Sequence, residues 1–227
     1  MNYVELHARS AFSFLRGGSA PEALVTEAAR LQLSQLALCD RDGVYGAVRL
    51  HMKAKDEGLH ALVGCEVTLD DGAVVPLLAA TQAGYRRLGA LLTTANLRAP
   101  KGEGRVTWRE LAESNAGLIA LTGDEEGPVR RAWRERGAAA AADAGEKLKR
   151  IFGPDRLYVE LQRHLVPGEE DENEFLTAWA RAMQLPLLAT NGVTYATPQA
   201  RNVADVFTCL REHVTLDRAG RRLGPNR

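Results

Sequence analysis

His7 and Arg9, then Asp40, Arg41 and Asp42, then Glu66, Asp124, His164 and Asn191 each stand in or just past a short apolar run. Histidines and carboxylates converging on one cleft are the ligand types of a divalent-metal site. An ion held there would polarise an oxygen or activate a water for hydrolysis. Arginines run through the same set, at Arg9, Arg41 and, in the same early loop, Arg16. A guanidinium does not deprotonate in a protein and cannot ligate a metal. A fixed cation about 4 Å from a divalent ion costs several kcal/mol even at an effective dielectric of ~20. The same side chains can neutralise Asp40 and Glu66 through fork-like hydrogen bonds. These residue types predict a cleft in which salt bridges stand where metals would otherwise bind.

Other catalytic templates are absent or weaker. Ser10 and Ser13 lie near His7, but no GxSxG elbow surrounds them, and they read as turn and cap hydroxyls. There is no Walker-type glycine loop. Cys39 and Cys65 lie in apolar runs and read as small core residues. His51, His60 and His213 read as surface residues. Trp108, Trp133 and Trp179 read as helix packing anchors, with Arg130, Arg131, Arg134 and Arg136 around Trp133 forming a solvated helix face. The acids Glu169, Glu170, Asp171 and Glu172 suit the positive end of a helix dipole better than a bound cation.

Elements must carry these residues. Apolar or β-branched runs predict strands at Tyr3–His7, Gln35–Asp40, Ala61–Leu69, Val74–Ala80, Gly117–Thr122, Leu157–Leu161 and Leu185–Thr190. Several are apolar on consecutive residues, as in a parallel sheet covered on both faces. Helical patterns lie between most of them. One opens on Ser19-Ala20-Pro21-Glu22, which reads as a capping box; others span Tyr45–Glu57, Gln82–Asn96, Asp124–Glu135, Ala138–Phe152, Asn173–Gln184 and Pro198–Arg211. Strand–helix alternation predicts parallel βαβ units, and seven strands with no dinucleotide fingerprint favour a closed or nearly closed barrel. Arg98–Arg105 reads as a surface loop. Thr215–Arg227, with several arginines, reads as an extended exit from a domain.

Composition sets outer limits. The chain has 227 residues, 45% hydrophobic and 26% charged, ordinary for a globular protein. A formal charge of zero removes a globally basic surface as an argument for nucleic-acid binding. Three cysteines without a CxxC exclude a disulfide scaffold and a cysteine zinc finger. The opening Met-Asn-Tyr-Val-Glu-Leu lacks the basic start of a signal peptide, and no apolar run is long enough to span a membrane. The expected location is the cytoplasm.

The segments that carry the chemistry resemble a known family. Leu6-His7-Ala8-Arg9-Ser10-Ala11-Phe12-Ser13-Phe14-Leu15-Arg16-Gly17 resembles the opening of the polymerase and histidinol phosphatase (PHP) domain, which begins bacterial replicative polymerases of the polymerase III alpha type. Leu36 to Ala47, through Asp40-Arg41-Asp42-Gly43-Val44-Tyr45-Gly46, resembles its second motif, and Gly64-Cys65-Glu66-Val67 its third. Gly117 to Gly123, Leu157 to His164 and Leu188 to Tyr195 resemble later ones. The arginine-bearing forms are most similar to the error-prone alpha-type polymerases of damage-induced mutagenesis.

The resemblance implies a distorted seven-stranded (β/α) barrel, with residues 1–197 as the barrel and 198–227 as the start of a linker toward a polymerase core that lies beyond it. Active members imply a trinuclear metal cleft with phosphoesterase activity. By position His7 and Glu66 are kept, Asp40 and His164 match residues at or beside the cleft, and Asp124 stands where the polymerases usually carry cysteine. Arg9 and Arg41 replace histidines, Arg16 replaces an acid, and Gly192 and Thr194 replace the last Asp-x-His pair. The vestigial cleft is then His7, Arg9, Asp40, Arg41, Glu66, Asp124 and His164, with no catalytic residue and no metal. The implied role is a silent structural scaffold in a translesion DNA polymerase. Its partners would be the rest of the polymerase, DNA through the full-length protein, and other proteins of a mutagenesis complex. The full-length protein would use magnesium in its polymerase core. Two alternatives stand: an active phosphoesterase or 3′–5′ exonuclease using zinc or manganese on His7, Glu66, Asp124 and His164, and a protein-interaction module.

Overall fold

The computed structural model describes residues 3–224. The first two residues of the opening segment, Arg227 and the Arg221 side chain of the basic tail lie outside the described residues. The fold is α/β, and its seven strands follow chain order in the sheet, β1 to β7. The chain divides into two compact units, residues 1–63 with 191–227, and residues 64–190.

In the first unit β1 (Glu5–Ala8) pairs in parallel with β2 (Gln35–Arg41). Helix α1 (Pro21–Arg30) makes the crossover that a parallel pair requires, and α2 (Ala47–Glu57) follows β2. Leu24, Val25 and Ala28 of α1 and Leu50 and Ala54 of α2 recur at helical spacing and pack with Ala8, Leu36 and Leu38. Gly58 ends α2 in the left-handed region at φ +73°, where a glycine carries no steric cost. β3 (His60–Thr68) begins next.

The start of α1 departs from expectation. Ala20 is the N-cap and no side chain caps it. The Ser19 hydroxyl instead accepts a hydrogen bond from the Ala196 N–H at 2.9 Å, so it ties a distant segment to the helix entry. The tail is a second correction. Helix α8 (Arg201–Arg211), with Cys209 buried, falls within the helix expected at Pro198–Arg211, but the segment from Thr215 forms the short α9 (Leu216–Ala219), with Ala219 buried, instead of running extended.

The second unit is built on the remaining strands. β4 (Val74–Ala79) pairs antiparallel with β3, and β5 (Leu118–Leu121) pairs antiparallel with β4. These two antiparallel pairings stand beside the parallel βαβ units that the strand–helix alternation predicts. The β3–β4 connection is a tight turn in which the Leu69 N–H donates to the Ala73 carbonyl and Gly72 takes φ +82°. So short a link can only reverse the chain, because a parallel return needs about a dozen residues. Between β4 and β5 lie α3 (Gln82–Leu97) and α4 (Trp108–Ser114). Helices α5 (Pro128–Arg136) and α6 (Ala138–Phe152) return the chain to β6 (Leu157–Leu161), parallel to β5. Helix α7 (Glu169–Met183) leads to β7 (Leu187–Ala189), parallel to β6. All four acids of its first turn sit where the helix dipole favours them, as expected.

Trp133 stacks on Phe175 with ring centroids 4.3 Å apart, and buried Trp179 lies against Gly145, so both are the anchors the sequence suggested. The arginines beside Trp133 are not all solvated. Arg130 is buried, donating to Glu172 at 2.8 Å and to Asn173 at 2.9 Å, and Arg134 donates to Glu172 at 3.0 Å.

The short α4 carries a full capping box: Thr107 accepts from the Glu110 N–H, and Glu110 accepts from the Thr107 N–H. The hydrogen bonds from Arg98 and then the Thr107 N–H favour the ionised carboxylate, which pulls the Glu110 pKa from 4.5 to about 2. A depressed carboxylate contributes stability above its unfolded pKa and loses it as pH falls toward the folded one. Glu110→Gln should therefore cost about 1 kcal/mol at pH 7, and its deficit against the parent should shrink between pH 4.5 and about 2 in thermal unfolding.

Candidate functional site

The site begins with an irregularity in β1. Glu5 faces Leu36 and Ala8 faces Leu38, so the pairing register shifts across the residues between them, which include His7. Such a bulge re-aims the side chains it carries. Glu5 is buried and fixes this turn of the strand. Its carboxylate accepts from the His7 N–H at 2.8 Å, the Asn191 N–H at 2.9 Å and the Tyr3 hydroxyl at 2.5 Å. The Arg9 N–H donates to the Val193 carbonyl at 2.8 Å, and the Gly18 N–H to the Thr194 carbonyl at 2.7 Å. The segment holding Gly192 and Thr194 is thus stitched to the loop after β1.

Asp40, at the end of β2, is a hub. Its Oδ1 accepts from the Ser10 N–H at 2.7 Å, the Ser10 hydroxyl at 3.0 Å and the Ser13 hydroxyl at 2.7 Å; the Ser10 hydroxyl also reaches Oδ2 at 2.8 Å. Each serine is oriented from behind. The Phe12 N–H donates to Ser10 Oγ at 3.2 Å, and the Arg41 N–H to Ser13 Oγ at 3.0 Å. Gly17 permits the loop to close, since a Cβ there would stand 2.0 Å from the Ser10 carbonyl oxygen. Both serines are buried, so the reading of them as turn hydroxyls missed their role. The parallel pairing of β1 with β2 was the available signal, because it sets the loop after one strand beside the end of the next.

In the second unit Glu66 lies fully buried in β3. Asp124 follows β5, buried, with its Oδ1 accepting from the Glu126 N–H at 3.1 Å. Glu160 in β6 is also fully buried. It accepts from Gln162 at 2.9 Å and from the Thr190 hydroxyl, and its own N–H donates to Thr122 Oγ1 at 2.9 Å. An acid inside the apolar run Leu157–Leu161 was the sign of this group, and the sequence reading passed over it.

Of the expected residues, Glu66 and Asp124 come together in the second unit, with a carboxylate oxygen of each within 4.8 Å of the other, and both are buried; His7 is buried in the first unit. His164 is not in that group. Its N–H donates to Glu169 at 2.7 Å, and its Nδ1 lies 3.5 Å from the same carboxylate, at the start of α7. One imidazole and two carboxylates suit a single divalent ion. They do not suit three, because Arg9, Arg41, Gly192 and Thr194 offer no ligand atom of the kinds such ions take.

This chain belongs to the PHP domain family, which matches residues 5–164. Among curated proteins, the error-prone DNA polymerase of Mycolicibacterium paratuberculosis is 39% identical over 98% of this chain and 22% of its own length. That of Anaeromyxobacter sp. (strain K) is 41% identical over 99% of the chain and 20% of its own. The chain therefore spans about a fifth of the length of these relatives. Solved structures share the fold. An amidohydrolase from Chromobacterium violaceum aligns with TM-score 0.63 at 15% identity, over 85% of this chain and 87% of its own. A lesion-specific endonuclease from Pyrococcus furiosus aligns with TM-score 0.55 at 14% identity, over 86% and 49%.

The Asp40 hub makes a direct prediction. Ser13→Ala removes one proton from a buried carboxylate and the acceptor of the Arg41 N–H. It should cost about 1–3 kcal/mol in urea unfolding, more than a serine-to-alanine change at half-buried Ser114.

Proposed function

We propose that this chain is the N-terminal PHP domain of an error-prone DNA polymerase, has lost hydrolysis, and serves the polymerase as a structural scaffold. The observation that carries the first part is identity of 35–41% over nearly the whole chain to proteins of that name. The chain matches only a fifth of their length, so template-directed synthesis, damage-induced mutagenesis and the magnesium it uses belong to the remainder. Among the described residues no helix is long and apolar enough to cross a membrane.

Loss of hydrolysis is supported by chemistry. Arg9 and Arg41 stand where active members of the family carry histidine, and neither can give up a proton to a metal. Asp40 already receives four hydrogen-bond contacts from Ser10 and Ser13, about as many as a carboxylate has lone-pair sites. The folded cleft is thus organised by protein donors.

A second reading rests on the paired buried carboxylates Glu66 and Asp124, together with the buried imidazole His7. These three would hold one zinc or manganese ion, which would supply an activated water for phosphoester cleavage. One assay separates the readings. The chain, supplied in turn with manganese, zinc and iron, should release no phosphate from p-nitrophenyl phosphate and leave a mispaired 3′ end intact. Chelator-sensitive trimming that disappears in His7→Ala would establish the second reading instead.

A further inference from the structure

Helix α8 is built inside out. Its charged residues lie on the side turned to the protein, and its aliphatic ones face outward. Arg201 pairs with Asp205 at 3.2 Å, with side chains 24% and 17% exposed. The Arg211 guanidinium donates to the Leu15 carbonyl at 2.9 Å, and Ala204 lies against Gly18, so this side rests on the loop after β1. On the opposite side Val203 is 43% exposed, Val206 41% and Leu210 55%. Steps of three and four residues set these three in one row along the helix. Asn202 is the remaining exposed residue of α8, so the row is flanked by no exposed charge on its own helix. A surface helix ordinarily turns its apolar stripe inward and its charges to water. The reverse order marks a face that another element covers.

The character of the row selects the occupant. An uncharged row gives the phosphates of a nucleic acid nothing to pair with. It is also narrow. Three aliphatic side chains, each about half exposed, supply far less than the roughly 800 Å² per partner of a stable interface between separate chains. A segment of the same polypeptide has no such requirement, because its tether holds it at an effective concentration in the millimolar range. The reading above, on which this inference rests, makes the polymerase body the continuation of the polypeptide beyond α8 and α9. The match to the polymerase of Mycolicibacterium paratuberculosis takes only 22% of that protein, which leaves ample chain for the purpose.

We propose that the row Val203, Val206 and Leu210 seats an apolar segment of the body that follows α8 in the same polypeptide. Deuterium exchange of the α8 amides tests this in the 227-residue chain and in the full-length protein that carries it. Exchange should be at least about tenfold slower in the full-length protein. Val206→Glu with Leu210→Glu should abolish that difference, while the 227-residue variant unfolds within about 2 °C of its parent, because both positions are exposed in it. Val206→Leu with Leu210→Met, which keep the row apolar, should retain the difference, as should Tyr85→Glu on α3. Equal exchange in the two proteins, or slowing that survives the two glutamates, would overturn the proposal. So would protection of α8 in the 227-residue chain that grows with its concentration, since two copies would then meet there. Primer extension by the full-length protein reports separately on the underlying reading. A protein that protects α8 but extends no primer would refute the polymerase and support the seat; one that extends primers without protecting α8 would do the reverse.

Discussion

A carboxylate without water must be met by donors, and Asp40 is met by Ser10 and Ser13. Much of the first unit follows from that one requirement. Three protons in four contacts draw the loop after β1 onto the end of β2. The backbone N–H groups of Phe12 and Arg41 then fall onto the serine oxygens, so each hydroxyl has one direction in which to donate. Two loops that would otherwise move independently become one rigid edge.

The same requirement bears on the chemistry of the cleft. An acid saturated by hydroxyl and amide protons has little left for an ion. Glu66 and Asp124 still lie together in the second unit, so the ligand set is thinned without being lost. What changed in this chain is the company those residues keep. A histidine can lose its proton and coordinate; an arginine at the same position cannot, and brings a permanent positive charge. The arginines are the reason we read the cleft as silent.

Much of this was legible in the residues. The apolar runs lie within a few residues of all seven strands, and Leu157–Leu161 matches β6 at both ends, because continuous apolar stretches between turn signals have few other uses. Strand direction was not legible, since a run of buried residues looks the same in either orientation. Only the brevity of the turn at Leu69–Ala73 decides it for β4. Capping was misplaced at Ser19 and overlooked at Thr107, where the reciprocal pair with Glu110 exists, because a hydroxyl near a helix start can serve any passing N–H. Arg130 was read with its exposed neighbours, although helical periodicity turns it inward toward Glu172 and Asn173. Ser10 and Ser13 escaped notice because their partner lies about thirty residues away and only the sheet brings it near.

Either protein groups or ions hold the cleft in balance. Calorimetric titration of manganese and of zinc into chelator-treated protein at neutral pH measures this most directly. The account predicts no saturable, stoichiometric uptake of either ion, and the same heats from the parent and from Glu66→Gln. Uptake of one or more ions per chain that vanishes in Glu66→Gln would contradict it.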